Sequence, residues 1–181
     1  TLRSVINAGK HPDIPFSVFK PTAFASQQTL TLASEDKPVD SKTAEEIQFF
    51  KDSVEKLCKT AYENNIPIMI DAEDSWYQPF VDQVVTTMME KYNKQKAIVY
   101  NTLQMYRTDR LEYLKQAFKK AEEGDYFLGI KFVRGAYMEK ERKRAAEKGY
   151  PSPIQPDKAA TDRNYDAGIA FSVAHLDRIS V

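Results

Sequence analysis

The chain has 181 residues, and its 26 basic and 26 acidic side chains leave no formal net charge. That length suits one domain of roughly 100–200 residues, and the charge balance lacks the basic excess with which nucleic-acid binders meet phosphate. With 42% hydrophobic and 12% aromatic residues the chain can bury a core, so it is not disordered, while no apolar run approaches the ~18–20 residues of a membrane span.

Four short apolar runs, bounded by turn residues, read as strands: Phe16–Lys20, Ile66–Asp71, Ala97–Tyr100 and Phe127–Val133. Their near-continuous apolar character predicts a parallel sheet covered on both sides. After the first comes a helix capped by Asp40 or Ser41, with Glu45 and Glu46 near its positive dipole end. Ile47, Phe50, Val54, Leu57 and Ala61 fall on one face, and Asn64-Asn65 before Pro67 stops it. Phe80, Val81, Val84, Val85, Met88, Met89 and Tyr92 stripe the next helix; Leu111, Leu114, Phe118 and Ala121 stripe the third, with Gly124 as its C-terminal cap. A highly charged stretch (Met138–Lys148) follows the fourth strand and reads as a solvated helix face. A Pro-rich loop (Tyr150–Asp157) and a helix over Ala159–Leu176 then lead into Arg178–Val181, where a fifth strand begins.

Strand ends recur near residues 71, 102 and 134, close to the about 31 residues per βα unit of a 250-residue (β/α)8 barrel. The fold class is therefore α/β, a TIM barrel of which residues 1–181 carry about the first half: strands 1–4 and the start of strand 5. An open half exposes strand edges, so the rest of the barrel is expected after Val181. The chain starts at Thr1 rather than Met, without a signal-peptide pattern, so upstream sequence is expected too. A compact doubly wound sheet is the alternative. One cysteine, Cys58, excludes an internal disulfide; His11 and His175 are isolated, and no metal is expected. A reducing aqueous compartment fits these features.

Side-chain alternation puts Lys20 with Val18, Asp71 with Met69, Gln104 with Thr102, and Lys131 with Val133. Each polar residue lies at or near the C-terminal half of a strand, the end where barrels assemble active sites. A lysine and a carboxylate recurring there suggest a paired site, because an unpaired buried charge is expensive. Bland readings stay open. Lys20 can snorkel to solvent, Asp71 can cap a helix, Gln104 can be a loop amide, and Tyr137 can be a packed aromatic. Arg134-Gly135-Ala136 can be a packing turn, though Gly permits close backbone approach and Arg suits a phosphate. The residues alone reach an anion- or cofactor-binding barrel.

At these same positions the sequence resembles the proline dehydrogenase family, most of all its single-function members. Ile68-Met69-Ile70-Asp71-Ala72-Glu73-Asp74, Tyr100–Tyr106 and Lys131-Phe132-Val133-Arg134-Gly135-Ala136-Tyr137 match its successive strand-end motifs. Val18-Phe19-Lys20 and the stretch from Tyr150-Pro151 to Asp162 match its flanking motifs, so the resemblance runs from about Ile14 to Val181. It implies an FAD-dependent barrel that oxidises L-proline to 1-pyrroline-5-carboxylate and passes electrons to a quinone. On the resemblance, Asp71 and Lys131 are catalytic, and Lys20 and Tyr137 bind substrate. Ala72, Gln104, Arg134, Gly135 and Ala136 contact FAD. Lys131 stands where bacterial members often carry arginine; lysine keeps the charge but loses the planar fork. The family's later strands and C-terminal arginine pair have no counterpart in these residues, so activity is expected only of a longer protein. Its partners would be proline, a quinone and a membrane surface, not nucleic acid; it would lie in the cytoplasm or at the inner membrane in a bacterium, and in mitochondria in a eukaryote. Two rivals are a non-catalytic helix-rich interaction module and an aldolase using Lys20 or Lys131 as Schiff-base nucleophile.

Overall fold

A computed structural model describes residues 2–35 and 37–181. In chain order the elements are α1 (Leu2–Gly9), β1 (Ser17–Phe19), α2 (Gln27–Ser34), α3 (Ser41–Glu63), β2 (Ile68–Ile70), α4 (Gln78–Tyr92), β3 (Val99–Gln104), α5 (Arg110–Glu123), β4 (Leu128–Val133), α6 (Met138–Lys148), α7 (Lys158–Val173) and β5 (Ile179–Ser180). A short 3-10 turn, Pro21–Ala23, follows β1. The five strands form one parallel sheet in the order β1-β2-β3-β4-β5. A doubly wound sheet reverses direction at a switch point, and this order never does. The sheet is a segment of barrel wall.

The elements follow from local chemistry. Asp40 caps α3 by accepting from the Thr43 N–H at 2.8 Å. Phe50, Val54, Leu57 and Ala61 are buried along the face that the periodicity predicts, and Asn65 leaves the helix at a left-handed φ of 53°. Gly124 does cap α5, but with φ −89°. The left-handed turn falls instead on Asp125, at φ 48°, a residue whose short polar side chain tolerates it. Two helices arise that the sequence pattern does not announce. In α1 only Val5 and Ala8 are buried; in α2 the cap is Ser26, whose Oγ accepts from the Thr29 N–H at 3.1 Å. Neither is long enough to carry a full apolar stripe.

Strand boundaries shift in one informative place. The third strand starts at Val99 and runs on to Gln104, because Thr102 pairs with Lys131 and Gln104 with Val133 on β4. Gln104 is thus a strand residue, not a loop amide. Its polar run hides the strand from a hydrophobicity reading.

Helices cover one sheet face, against which Phe19, Ile68, Ile70, Val99, Leu128 and Ile130 are buried. The expectation of cover on both sides fails on the opposite face, where Val18 is 46% exposed and Met69 and Tyr100 are half-buried. That face is concave wall, and the polar residues of interest share it.

Gly129 in β4 sits beside Tyr100 of β3. A Cβ there would come within 2.4 Å of the Val99 carbonyl oxygen and 2.9 Å of the Tyr100 ring. Backbone cannot give way as a flexible side chain can. Gly129→Ala should therefore lower stability by about 1–3 kcal/mol and the melting temperature by several degrees, as read by thermal denaturation. An unchanged melting temperature would mean that β3 and β4 lie farther apart in solution.

Candidate active site

Parallel strands end at one rim, and the loop leaving β2 carries Asp71, Ala72, Glu73, Asp74 and Ser75 across it. The Asp71 N–H continues the ladder to the Phe19 carbonyl oxygen at 3.0 Å, which fixes where its carboxylate begins. Lys20, just beyond β1, donates from Nζ to Asp71 Oδ2 at 3.1 Å. Lys131, in β4, donates from Nζ to Asp71 Oδ1. Lys131 reaches across β3, where its register neighbour is the short Thr102, whose hydroxyl is turned to the Ile70 carbonyl oxygen at 2.8 Å. One carboxylate therefore bridges two ammonium groups from strands three apart.

Burial alone would push the Asp71 carboxyl up. The hydrogen bonds and charges of Lys131 and Lys20 outweigh it and hold the group below the ordinary 3.8. Partial burial would likewise lower the Lys20 ammonium, but Asp71, with smaller contributions from Tyr137 and Glu73, raises it above 10.5.

The rest of the loop is tied to its neighbours with equal economy. Glu73, buried, accepts from the Thr22 N–H at 3.1 Å and the Thr22 hydroxyl at 3.0 Å, joining β2 to the turn after β1. Gln104 donates from Nε2 to the Glu73 carbonyl oxygen at 2.6 Å. Behind Gln104 lies a buried ionic network. Arg107 engages Asp109 through Nε at 3.0 Å and Nη2 at 2.7 Å; Arg110 joins Asp109 to Asp82, with Nη1 2.8 Å from Asp82 Oδ2. Asn101 of β3 donates to Asp82 at 2.9 Å.

Among the residues singled out from sequence, Lys20, Asp71 and Lys131 meet directly, and Gln104 meets the same loop through Glu73. Ala72 is buried within that loop. The Arg134 side chain turns outward, to Asp162 at 3.2 Å and onto the Tyr165 ring at 4.8 Å. Gly135 has nothing within 4 Å of where a Cβ would be, so the turn faces open space. Tyr137 is held in the left-handed region at φ 45° at the start of α6. The sequence reading missed Thr22, Glu73, Ser75 and Glu141. It took Met138–Lys148 for a solvated face, yet Glu141 is 1% exposed and Ala145 2%. Ala145 four residues after Glu141 was the available signal, masked by the charges around it.

Comparison with known proteins now decides the family. A sequence profile described as "Proline dehydrogenase" matches residues 6–181. This chain belongs to the proline dehydrogenase family. It is 30% identical over 181 residues to the carbapenem antibiotics biosynthesis protein CarD of Pectobacterium carotovorum subsp. carotovorum, covering 99% of this chain and 47% of that protein. It is 38% identical over 123 residues to mitochondrial proline dehydrogenase 1 of Drosophila melanogaster, covering 66% of this chain and 18% of that one. The chain thus spans less than half the length of either relative. Proline utilization A from Bdellovibrio bacteriovorus, inactivated by N-propargylglycine, has the same fold over 98% of this chain and 20% of its own, with TM-score 0.81 at 20% identity. A proline utilization A mutant from Bradyrhizobium japonicum gives 0.83 at 22%, over 98% of this chain and 18% of its own.

The Asp71 geometry sets a pH signature for this family member. Its lowered carboxyl contributes stability above pH 3.8 that disappears as pH falls through the folded-state value; the raised Lys20 contributes below 10.5 and is lost as pH rises through its folded-state value. Asp71→Asn should flatten both limbs of a urea-midpoint profile against pH. Identical profiles for the two proteins would show that the lysine pairs do not form in solution.

Proposed function

We propose that the protein oxidises L-proline to 1-pyrroline-5-carboxylate with FAD held at this rim, electrons passing on to a quinone. The carrying observation is Asp71 held between Lys20 and Lys131 at the C-terminal ends of the strands in a chain of this family. We propose further that residues 1–181 supply the first half of the barrel.

The donor set fits a flavin. Lys131 and Lys20 spend one hydrogen bond each on Asp71, leaving N–H donors free at each ammonium. Gln104 keeps one amide hydrogen after bonding Glu73. The open space at Gly135 admits close approach by a planar ring or a phosphate. In this reading Lys131, Gln104, Ala72 and the Arg134–Ala136 backbone hold the cofactor, and Lys20 and Tyr137 take the proline carboxylate and ring. When bound, the flavin supplies the two-electron acceptor.

The chain's own residues do the positioning. Asp71 stays ionised and fixes both ammonium groups, so neither must be reoriented as charge develops, the preorganisation that lowers barriers. Lys20 pairs with the substrate carboxylate without leaving Asp71. Lys131 would hold its ammonium charge beside a bound flavin, fixed there by Asp71. The same pairing counts against a Schiff-base aldolase, which needs a neutral amine, whereas Lys20 is held more firmly protonated. An interaction module leaves the converging charges without a purpose. Among the described residues no helix is long and apolar enough to cross a membrane.

Lys131→Met in the full-length protein should keep the fold, weaken flavin retention, and slow bleaching of the flavin by proline by roughly 10²-fold. Lys131→Arg should be mild, since the charge persists. Equal bleaching rates for wild type and Lys131→Met in stopped-flow would remove Lys131 from the reaction.

A further inference from the structure

Helix α6 is the most polar helix of the chain, yet it is docked and not merely solvated. Glu141 is 1% exposed. Its Oε1 accepts from the Ser75 N–H and its Oε2 from the Ser75 hydroxyl, both at 2.6 Å. Its own N–H donates to the Tyr137 carbonyl oxygen at 2.9 Å. One side chain thus ties the loop that carries Asp71 to the first turn of α6, into which the Arg134–Tyr137 turn leads.

Neighbouring contacts point the same way. Lys140 donates from Nζ to Asp74 at 2.7 Å, and that fully buried carboxylate also accepts from the Tyr77 hydroxyl at 3.1 Å. The Arg144 guanidinium lies 4.1 Å from the Trp76 ring centroid and Lys140 Nζ 5.1 Å. Tyr137, at φ 45°, is a non-glycine residue in a conformation that persists only when its surroundings hold it. The first backbone bond of α6, which closes on its carbonyl, is part of that hold whatever residue stands at 141. A buried carboxylate used this way must justify its desolvation by the two donors it satisfies, and losing either partner leaves a polar group unpaired.

We propose that Glu141 is a positioning residue, which through its side-chain bonds to Ser75 docks the first turn of α6 on the Asp71 loop and so sets that loop in register with the Arg134–Tyr137 turn that leads into the helix. It touches neither Asp71 nor Lys131; it determines where their loops stand. The effect on cofactor binding rests on the flavin reading above, but the effect on Asp71 does not.

The test compares Ser75→Ala, Glu141→Gln and the double variant, with Leu57→Ala as a core control on α3 outside the site. Glu141→Gln keeps size and one acceptor, so the fold should survive, and Ser75→Ala removes only the hydroxyl. Two readouts are taken. The first needs no cofactor: the acid limb of the urea midpoint that depends on Asp71, defined by subtracting an Asp71→Asn background. The groups facing Asp71 in that limb are Lys131 and Lys20, with Glu73 and Tyr137 facing Lys20 in turn, all unchanged in these variants. Glu141→Gln removes the carboxylate charge that strengthens both bonds and should reduce the limb by at least half; Ser75→Ala loses only the hydroxyl bond and should reduce it less, and the double variant should fall short of the sum of the two, since both act on one pair. The second is FAD dissociation from the full-length protein, which should be about tenfold weaker in Glu141→Gln. Leu57→Ala should lower the melting temperature and leave both readouts as in wild type. An unchanged Asp71 limb in Glu141→Gln, or an equal change in Leu57→Ala, would overturn the proposal. Wild-type protein that fails to bind FAD would sink the flavin reading alone, and the Asp71 limb would still decide the role of Glu141.

Discussion

Four of the five residues leaving β2 bond to other elements at the strand-end rim. Asp71 takes lysines from β1 and β4, Glu73 takes Thr22 and gives its carbonyl to Gln104, and Asp74 takes Lys140. Ser75 gives both its donors to Glu141. Hydrogen-bonded ladders fix strands relative to one another along their length, but they say nothing about loops. Here the loop ends are located by carboxylates with more than one partner, and each extra partner removes a way for the rim to rearrange. That constraint comes from the physics of buried charge: an acidic side chain inside a rim must find donors, and the donors available belong to other strands.

The ionic network behind β3 does a related task from the opposite side of the sheet. Asp82 collects Arg110, Asn101 and Gln78, and Asp109 collects both arginines. Such groups add little net stability over apolar packing, since desolvation consumes most of the attraction. They do make one arrangement of α4, α5 and β3 better than its neighbours. Gln104 stands between this network and the Glu73 carbonyl, so its position on the concave face is supported from both directions.

How much of this was legible depends on which forces leave a trace in sequence. Strand order, the α3 and α4 stripes and the Asp40 cap were readable because apolar periodicity and capping are local. The approach of Lys20, Asp71 and Lys131 was readable by parity, since alternation and a common strand end leave few other places for them. The extension of β3 through Asn101-Thr102-Leu103-Gln104 was not readable, because its polar side chains are satisfied by partners far away in the chain. Glu141 was hidden for the same reason: among so many charges in α6, only three-dimensional contact shows which one faces inward. The Arg134 side chain was not legible either, being engaged by Asp162 and Tyr165 on a helix whose approach no local pattern announces.

Two ammonium groups share one carboxylate on the concave side, and the buried Glu73 carboxylate nearby balances the second of them, in a chain whose total charge is zero. From a distance, such a molecule offers an arriving solute almost nothing to follow, and ions in solution erase its local potential within about 10 Å. Long-range steering, which depends on a sustained excess of one sign, is thus weak. The charges act only once a solute has already entered the mouth, where they choose among orientations and not among trajectories. Any small solute that met this rim would be sorted on contact, a negative end turned toward the lysines and a positive end toward the carboxylates.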